Sequence, residues 1–202
     1  MVCIDYLKTP LGQDMYIAPA QNEAETQMIK GIVKQFFQNS VQADTQKLDT
    51  EGIETLFSEL FMNICQHSFD TNGFIFIPAV TKEGQFEMIA SDLGTGIVSN
   101  IRNCYLHEAF VDDASVIEYA TRDWISSRTK IQNRGRGLNT VLTCVQALKG
   151  SLNILSENGQ LILENGRVSL MGLSSTHIGN FLHIAFNINQ LREKEESDYI
   201  DF

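Results

Sequence analysis

The apolar residues between positions 53 and 68 recur with the period of an α-helix. They are Ile53, Leu56, Phe57, Leu60, Phe61 and Ile64. Glu59, Asn63 and His67 follow one another at intervals of four residues, so they share a face that borders the apolar one. The pattern predicts a helix with a buried face and a half-buried polar stripe beside it. The carboxylate, amide and imidazole of that stripe then need partners.

A simpler interpretation is open for this helix taken alone. Glu59 and Asn63 would face water, and His67 would be a core histidine satisfied by its neighbours. The choice depends on what the rest of the chain brings to the polar stripe.

The same reasoning predicts the remaining elements. Helical spacing marks residues 23–38, 112–120 and 138–149. Short apolar or alternating runs mark strands at residues 15–18, 74–80, 85–91, 152–155, 160–164, 167–170 and 181–188, the first of them an edge strand. Turn-forming residues at 82–84, 157–159 and 165–166 separate neighbouring strands, so we expect hairpins.

Hairpins that alternate with amphipathic helices predict an α/β fold, and more narrowly a two-layer α/β sandwich. We expect a mixed, mostly antiparallel sheet with the helices near 53–68, 112–120 and 138–149 on one face. A length of 202 residues suits one main domain. We place it at residues 51–189, after an N-terminal extension at 1–50 and before a charged tail at 190–202.

Two glycine-rich stretches follow the central helix. Asp92-Leu93-Gly94-Thr95-Gly96 ends a predicted strand, and Arg134-Gly135-Arg136-Gly137-Leu138 opens the predicted helix 138–149. Glycine lets backbone amides approach a ligand, and the amides and dipole at a helix N-terminus favour an anion such as phosphate. Each stretch taken singly has another interpretation, as an aspartate turn and as a glycine turn before a core helix.

The three stretches ExxxNxxxH, DxGxG and GRGL, in this order and spacing, resemble the GHKL ATPases. That superfamily includes gyrase, heat-shock chaperone, histidine kinase and mismatch-repair ATPases. The resemblance extends from about residue 53 to about residue 188. It implies a histidine kinase-like ATP-binding domain with ATP and Mg²⁺ as cofactors.

The resemblance implies a role for each residue of the polar stripe. Asn63 would be the protein ligand of Mg²⁺, a cation that takes few oxygen ligands and retains several waters. Glu59, one turn earlier, would be the general base. His67 would orient the site.

The resemblance also implies how adenine is held. Asp92 would accept a hydrogen bond from the exocyclic amine, and Gly94 and Gly96 would leave room for the base. The last strand of the family often begins Gly-Thr, with the threonine binding adenine through water. Here Asn180 follows the glycine, so Asn180 and Thr176 are alternative candidates for that contact.

The interval 97–133 corresponds to the lid that covers the phosphates in this family. Cationic residues concentrate at its end and in the GRGL stretch, in a chain that is otherwise acidic. We expect phosphate contacts from Lys130, Arg134, Gly135, Arg136, Gly137 and Leu138. A solvated loop is the alternative for any one of these cationic residues.

The overall charge narrows the possible partners. A net charge of −10 and a pI near 4.8 argue against a nucleic-acid or anionic-membrane surface.

The four cysteines form no CxxC pair, and no apolar run reaches the roughly 20 residues that span a bilayer, so we expect a cytoplasmic protein. The four histidines show no spacing typical of a zinc site.

The departures from each branch of the superfamily favour one form. Histidine kinases usually carry lysine three residues after the asparagine, where this chain has Gln66. Gyrase, chaperone and mismatch-repair members need further domains, which 202 residues cannot hold. The chain is most similar to stand-alone anti-sigma-factor-type serine/threonine kinases, which act on a small antagonist or sigma-factor-like partner and are often homodimers. The alternative is a nucleotide-sensing module with little turnover.

Overall fold

A computed structural model of the protein describes residues 7–8, 14–16, 51–67, 73–76, 84–125 and 137–190. The helices there are α1 (Glu51–His67), α2 (Ile97–Cys104), α3 (Asp113–Ala120) and α4 (Gly137–Ala147). The strands are β1 (Leu7–Lys8), β2 (Asp14–Tyr16), β3 (Gly73–Phe76), β4 (Gln85–Asp92), β5 (Ser151–Glu164) and β6 (Arg167–Asn187). A 3₁₀ turn, Ile188–Gln190, follows β6. None of the described helices is long and apolar enough to cross a bilayer.

The strands form one sheet in the order β1-β2-β3-β4-β6-β5, and every neighbouring pair is antiparallel. Met88, Ile184 and Leu152 are register partners across β4, β6 and β5, and all three are buried. Alternate residues point to the opposite face, where Glu87 and His183 are partly exposed. The core therefore lies on one face of the sheet.

All four of the described helices contribute to that core. Phe57 of α1 packs edge-on against Phe86 of β4, with ring centroids 6.2 Å apart, and Phe86 contacts Phe186 of β6 at 4.7 Å. The other buried helix residues in this cluster are Ile53, Leu56, Leu60, Val98, Ile101, Val116, Ile117, Ala120, Val141 and Val145. The predicted two-layer α/β sandwich is thereby confirmed.

Three of the predicted helices lie where they were expected, and α3 begins at a capping box. Asp112 precedes it and accepts a hydrogen bond from the amide of Ser115 at 2.7 Å, while the Ser115 hydroxyl accepts one from the Asp112 amide at 3.2 Å. This reciprocal capping box fixes the N-terminus within four residues of sequence.

Helix α2 was not predicted, because its sequence carries few of the usual signals. Only Val98 and Ile101 are buried in it, and Gly96 supplies no side-chain cap. Its first amides are capped from β5 instead: Ile97 donates to the Ser156 hydroxyl at 3.0 Å, and Ser99 donates to a Glu157 carboxylate oxygen at 2.8 Å. A cap that lies 58 residues away along the chain has no local sequence signature.

The predicted turn at 157–159 is wrong, whereas the turn at 165–166 is confirmed. Asn165 and Gly166 have φ values of 51° and 73°, as a two-residue hairpin turn requires. Residues 157–159 instead lie within one continuous strand, where the pairing register shifts. The four strands expected between 152 and 188 are therefore two long ones, β5 and β6.

The N-terminal strand prediction also needs correction. The expected edge strand at 15–18 appears as β2, but it lies between β1 and β3 and is not at the edge. The predicted helix 23–38 and the charged tail beyond residue 190 lie outside the described residues. The proposed domain bounds stay a prediction.

Gly179→Ala should lower the free energy of unfolding by about 2 kcal/mol. Gly179 has a φ of +74°, and a Cβ there would overlap the backbone carbonyl of Asp92. Gly172→Ala is the matched control, because Gly172 lies on the same strand and a Cβ added to it would meet no heavy atom within 4 Å. Thermal unfolding of the two variants measures the difference, and equal melting temperatures would contradict this account.

Candidate functional site

A cavity opens where α1 and the first turn of α4 meet the end of β4 and the adjacent interior part of β6. Its walls are mainly apolar, with three polar side chains among them. The lining residues are Leu60, Asn63, Ala90, Asp92, Ile97, Leu138, Asn180 and Leu182. Residues from all three sequence stretches thus border one space. Leu60, Ala90, Ile97 and Leu182 were not predicted as site residues, because in sequence they are indistinguishable from ordinary core positions.

Asp92 is the buried acidic group of this cavity. It ends β4 and is only 4% exposed. One carboxylate oxygen, Oδ1, accepts the Gly94 amide at 2.8 Å, and the other, Oδ2, accepts the Asn180 side-chain amide at 2.9 Å. Two donors offset the cost of burying the charge, and a carboxylate has further acceptor capacity for a third.

Asn180 faces Asp92 across the β4–β6 pair and is also 4% exposed. Its side-chain oxygen accepts the Ile97 amide at 2.8 Å, and its backbone carbonyl accepts the Ser91 hydroxyl at 2.9 Å. Asn180 therefore joins β4, β6 and the start of α2. The competing candidate Thr176 is exposed, donates to Asn158 at 3.0 Å and does not line the cavity.

The glycines of the DxGxG stretch serve different contacts. Gly94 supplies an amide to Asp92. Gly96 has a φ of +87°, and a Cβ there would lie 3.1 Å from the Ser156 hydroxyl. The close approach at Gly96 is thus to β5 of the same chain, and it allows Ser156 to cap α2.

Two residues of the polar stripe of α1, Glu59 and Asn63, face Gly137, the first residue of α4. A Cβ on Gly137 would lie 3.0 Å from the Asn63 side-chain oxygen and 3.5 Å from a Glu59 carboxylate oxygen. The Asn63 side-chain nitrogen is buried, and no hydrogen-bond partner for it occurs among the residues that the structure describes. Because Gly137 has no side chain, a small polar space remains between Glu59, Asn63 and Gly137 beside the cavity, and we call this space the cradle.

Burial raises the pKa values of two side chains in or near this cradle, Glu59 and Cys144. Desolvation raises the pKa of the half-buried Glu59 carboxyl above the ordinary value of a glutamate. The pKa of the Cys144 thiol on α4 is raised as well, first by burial and then by the charge of Glu59. Glu59 therefore lies against α4, in surroundings that favour its protonated form.

The remaining predicted site residues differ in what can be said of them. Leu138 lines the cavity. The side chain of His67 lies outside the described residues, and so do Lys130, Arg134, Gly135 and Arg136. Their predicted roles stay predictions. No group of three or more His, Cys, Asp or Glu side chains that could hold a metal ion occurs within the described ranges.

The donor set of the cradle nevertheless fits one hydrated cation. Mg²⁺ prefers oxygen ligands and keeps several waters, so one amide oxygen beside a carboxylate is sufficient protein ligation. Asn63 is compatible with this, because its oxygen could bind the cation while its nitrogen, which has no partner among the described residues, donated to a water or a phosphate oxygen.

Comparisons with known proteins add little detail. No family model matches the sequence, and no curated protein matches it. Among solved structures, the chain is similar to the histidine kinase domain from the Erythrobacter litoralis EL346 blue-light activated histidine kinase. The TM-score is 0.35 at 20% sequence identity, over 69% of this chain and 44% of that chain. The chain therefore spans less than half of that neighbour's length.

Glu59→Gln should raise the melting temperature at pH 7. The folded state binds the Glu59 proton more tightly than the unfolded state, because burial raises the folded pKa. The associated stability is present at acid pH and is lost as pH rises through the window between the ordinary glutamate pKa and the raised one. Glutamine carries no charge, so its advantage should be largest at neutral pH and vanish near the acid end of this window.

Glu54→Gln on the same helix is the control for that measurement. Thermal unfolding of parent and both variants at pH 4 and pH 7 separates a pH-dependent gain from a general effect of glutamine. A lower melting temperature for Glu59→Gln at pH 7 would refute the desolvation account.

Proposed function

We propose that this protein binds ATP with Mg²⁺ and transfers the terminal phosphoryl group to a hydroxyl of a small regulatory protein. The observation that carries the proposal is a cluster of three residues beside the cavity that contains the buried Asp92. They are the half-buried Glu59, Asn63, whose buried side-chain nitrogen has no partner among the described residues, and Gly137 at the start of α4. These groups come from parts of the chain far apart in sequence.

The cavity suits an adenine base. Its aliphatic walls can cover the faces of a planar heterocycle, and Asp92 offers a buried acceptor for an exocyclic amine. The carboxylate already has two donors but retains lone pairs toward the cavity. A neutral base with an amino group therefore fits better than an anionic group would.

The polar cradle would serve the phosphate end. The Asn63 oxygen would hold Mg²⁺, which when bound neutralises phosphate charge. The first amides of α4, which have no intrahelical acceptor, would add donors beside Gly137. The predicted contacts from Lys130, Arg134 and Arg136 would complete this neutralisation.

Glu59 would then act as general base. The attacking hydroxyl oxygen forms a bond to the terminal phosphorus, the bond from that phosphorus to the bridging oxygen breaks, and ADP leaves. The hydroxyl proton passes to the Glu59 carboxylate. Because burial raises the pKa of the Glu59 carboxyl, its carboxylate is a stronger base than that of an exposed glutamate.

The receiving partner is proposed from the resemblance alone. A small antagonist or sigma-factor-like protein would supply a serine or threonine hydroxyl, and the kinase would act as a homodimer. The acidic charge of −10 favours a partner without a strongly acidic surface.

The test is ATP binding by calorimetry with Mg²⁺ and with a chelator, for the parent and for Asn63→Leu. The parent should bind in both conditions and more tightly with Mg²⁺. Asn63→Leu should lose the Mg²⁺ enhancement, at least about tenfold, and keep the metal-free affinity. Leucine also removes a buried amide nitrogen that has no partner among the described residues, so the variant should remain folded.

Asn103→Leu, at an exposed position of α2, is the matched control and should retain the enhancement. If the parent binds no adenine nucleotide at millimolar concentration, the proposal fails. If Asn63→Leu keeps the full Mg²⁺ effect, the metal assignment fails.

A further inference from the structure

The side-chain amide of Asn180 has a fixed orientation. Its oxygen accepts the Ile97 backbone amide at 2.8 Å, and its nitrogen donates to the Asp92 carboxylate at 2.9 Å. A flipped amide would place its NH₂ group against the Ile97 N–H and its oxygen against the carboxylate. Both contacts would then be repulsive, so the hydrogen-bond network assigns the amide.

This orientation leaves one N–H of Asn180 without an acceptor among the described residues. The Nδ2 group has two hydrogens, and its one acceptor within the described ranges is Asp92. The side chain is 4% exposed and lines the cavity beside Asp92. A buried amide donor requires an acceptor, and the cavity is the space from which a ligand can supply one.

The cavity thus presents an acceptor and a donor side by side. Asp92 and Asn180 are register partners on β4 and β6, so the sheet itself sets their separation. Gly179 permits this close pairing, because any side chain there would overlap the Asp92 carbonyl. Because both residues belong to paired strands, their relative position is held more firmly than that of two residues on an exposed loop.

We propose that Asn180 donates its second amide hydrogen directly to N1 of adenine, while Asp92 accepts a hydrogen from the exocyclic amine. This inference rests on the proposed nucleotide-binding function. Adenine presents an amine donor next to the N1 acceptor, which complements the pair. Guanine and hypoxanthine present a carbonyl oxygen next to an N1–H, so both contacts would be mismatched. Asn180 is therefore a specificity-determining residue that reads the edge of the base.

The first test uses the unmodified protein and three ligands. ADP, 1-deaza-ADP and 7-deaza-ADP are titrated by calorimetry at one pH and salt concentration. In 1-deaza-ADP a C–H replaces N1, so we expect binding about tenfold weaker than that of ADP. In 7-deaza-ADP the N1 acceptor is intact, so its affinity should match that of ADP within about twofold.

The second test is a cycle with Asn180→Ala, because alanine offers neither a hydrogen-bond donor nor an acceptor. The variant should bind ADP about tenfold more weakly than the parent, and it should no longer distinguish ADP from 1-deaza-ADP. Ser156→Ala is the matched control, because Ser156 caps α2 and does not line the cavity. Ser156→Ala should lower the affinities for ADP and for 1-deaza-ADP by the same factor, so the ratio of the two affinities should stay that of the parent. Melting temperatures verify that both variants are folded.

Two outcomes overturn the inference while nucleotide binding stands. One is equal affinity of the parent for ADP and 1-deaza-ADP, and the other is an Asn180→Ala variant that keeps the parent's ratio. Failure of the parent to bind ADP would overturn both the inference and the proposed function.

Discussion

Asp92→Asn should lower the affinity for ADP by about 100-fold, roughly 2.7 kcal/mol. The substitution keeps the shape of the side chain but replaces one acceptor oxygen with an NH₂ group. The carboxylate of Asp92 already receives the Gly94 and Asn180 donors. An amide has one oxygen for these two donors and for an adenine amine, so at least one buried donor is left without an acceptor.

Asp112→Asn is the matched control for this variant. Asp112 is an exposed N-cap of α3, and asparagine is an equally good cap, so stability and ADP affinity should both stay near those of the parent. Calorimetry with ADP compares the three proteins at one salt concentration. An Asp92→Asn variant that is folded and binds ADP as tightly as the parent would exclude Asp92 as the adenine acceptor.

Glu59→Gln should reduce phosphoryl transfer or ATP hydrolysis by about 10²-fold and leave ATP affinity nearly unchanged. Glutamine occupies the same volume beside Gly137 but cannot take a proton. Glu59 does not line the cavity, so nucleotide contacts should persist. The assay follows labelled phosphate from ATP to small proteins encoded nearby and, in parallel, release of inorganic phosphate.

Glu54→Gln on α1 again serves as control and should retain turnover. A turnover unchanged by Glu59→Gln would remove Glu59 from the mechanism. A parent that binds ATP but shows neither hydrolysis nor transfer would favour the nucleotide sensor, with Glu59 as a structural carboxylate whose loss affects stability alone.

Local pattern was sufficient to predict much of the helical layer. In α1, four of the predicted apolar positions are buried in the core, because a helix of this period presents one face to the sheet; they are Ile53, Leu56, Phe57 and Leu60. Helix α3 was predicted from the same helical spacing, and the capping box at its start is likewise a local feature. The turn at Asn165 and Gly166 was predictable because only a few residues tolerate positive φ in succession.

The turn at 157–159 was also predicted from local residue types, but contacts with a distant part of the chain determine the structure there. Glu157, Asn158 and Gly159 resemble a turn in composition. The amide of Asn158 instead donates to the Asp113 carboxylate at 3.1 Å, and a Cβ on Gly159 would overlap the Asp113 backbone. Packing of α3 on β5 therefore keeps the chain extended there, with a bulge in place of a reversal.

The candidate site, too, was predictable from local sequence only in part. The sequence by itself determined the α/β sandwich, the polar stripe of α1 and the two glycine stretches, because period and glycine content are properties of a few neighbouring residues. Only the tertiary structure decided that Asn180 pairs with Asp92, that Ser156 and Glu157 cap α2, and that Gly137 faces Asn63. Those contacts depend on strand register and on helix packing between segments far apart in the chain, which no local pattern specifies.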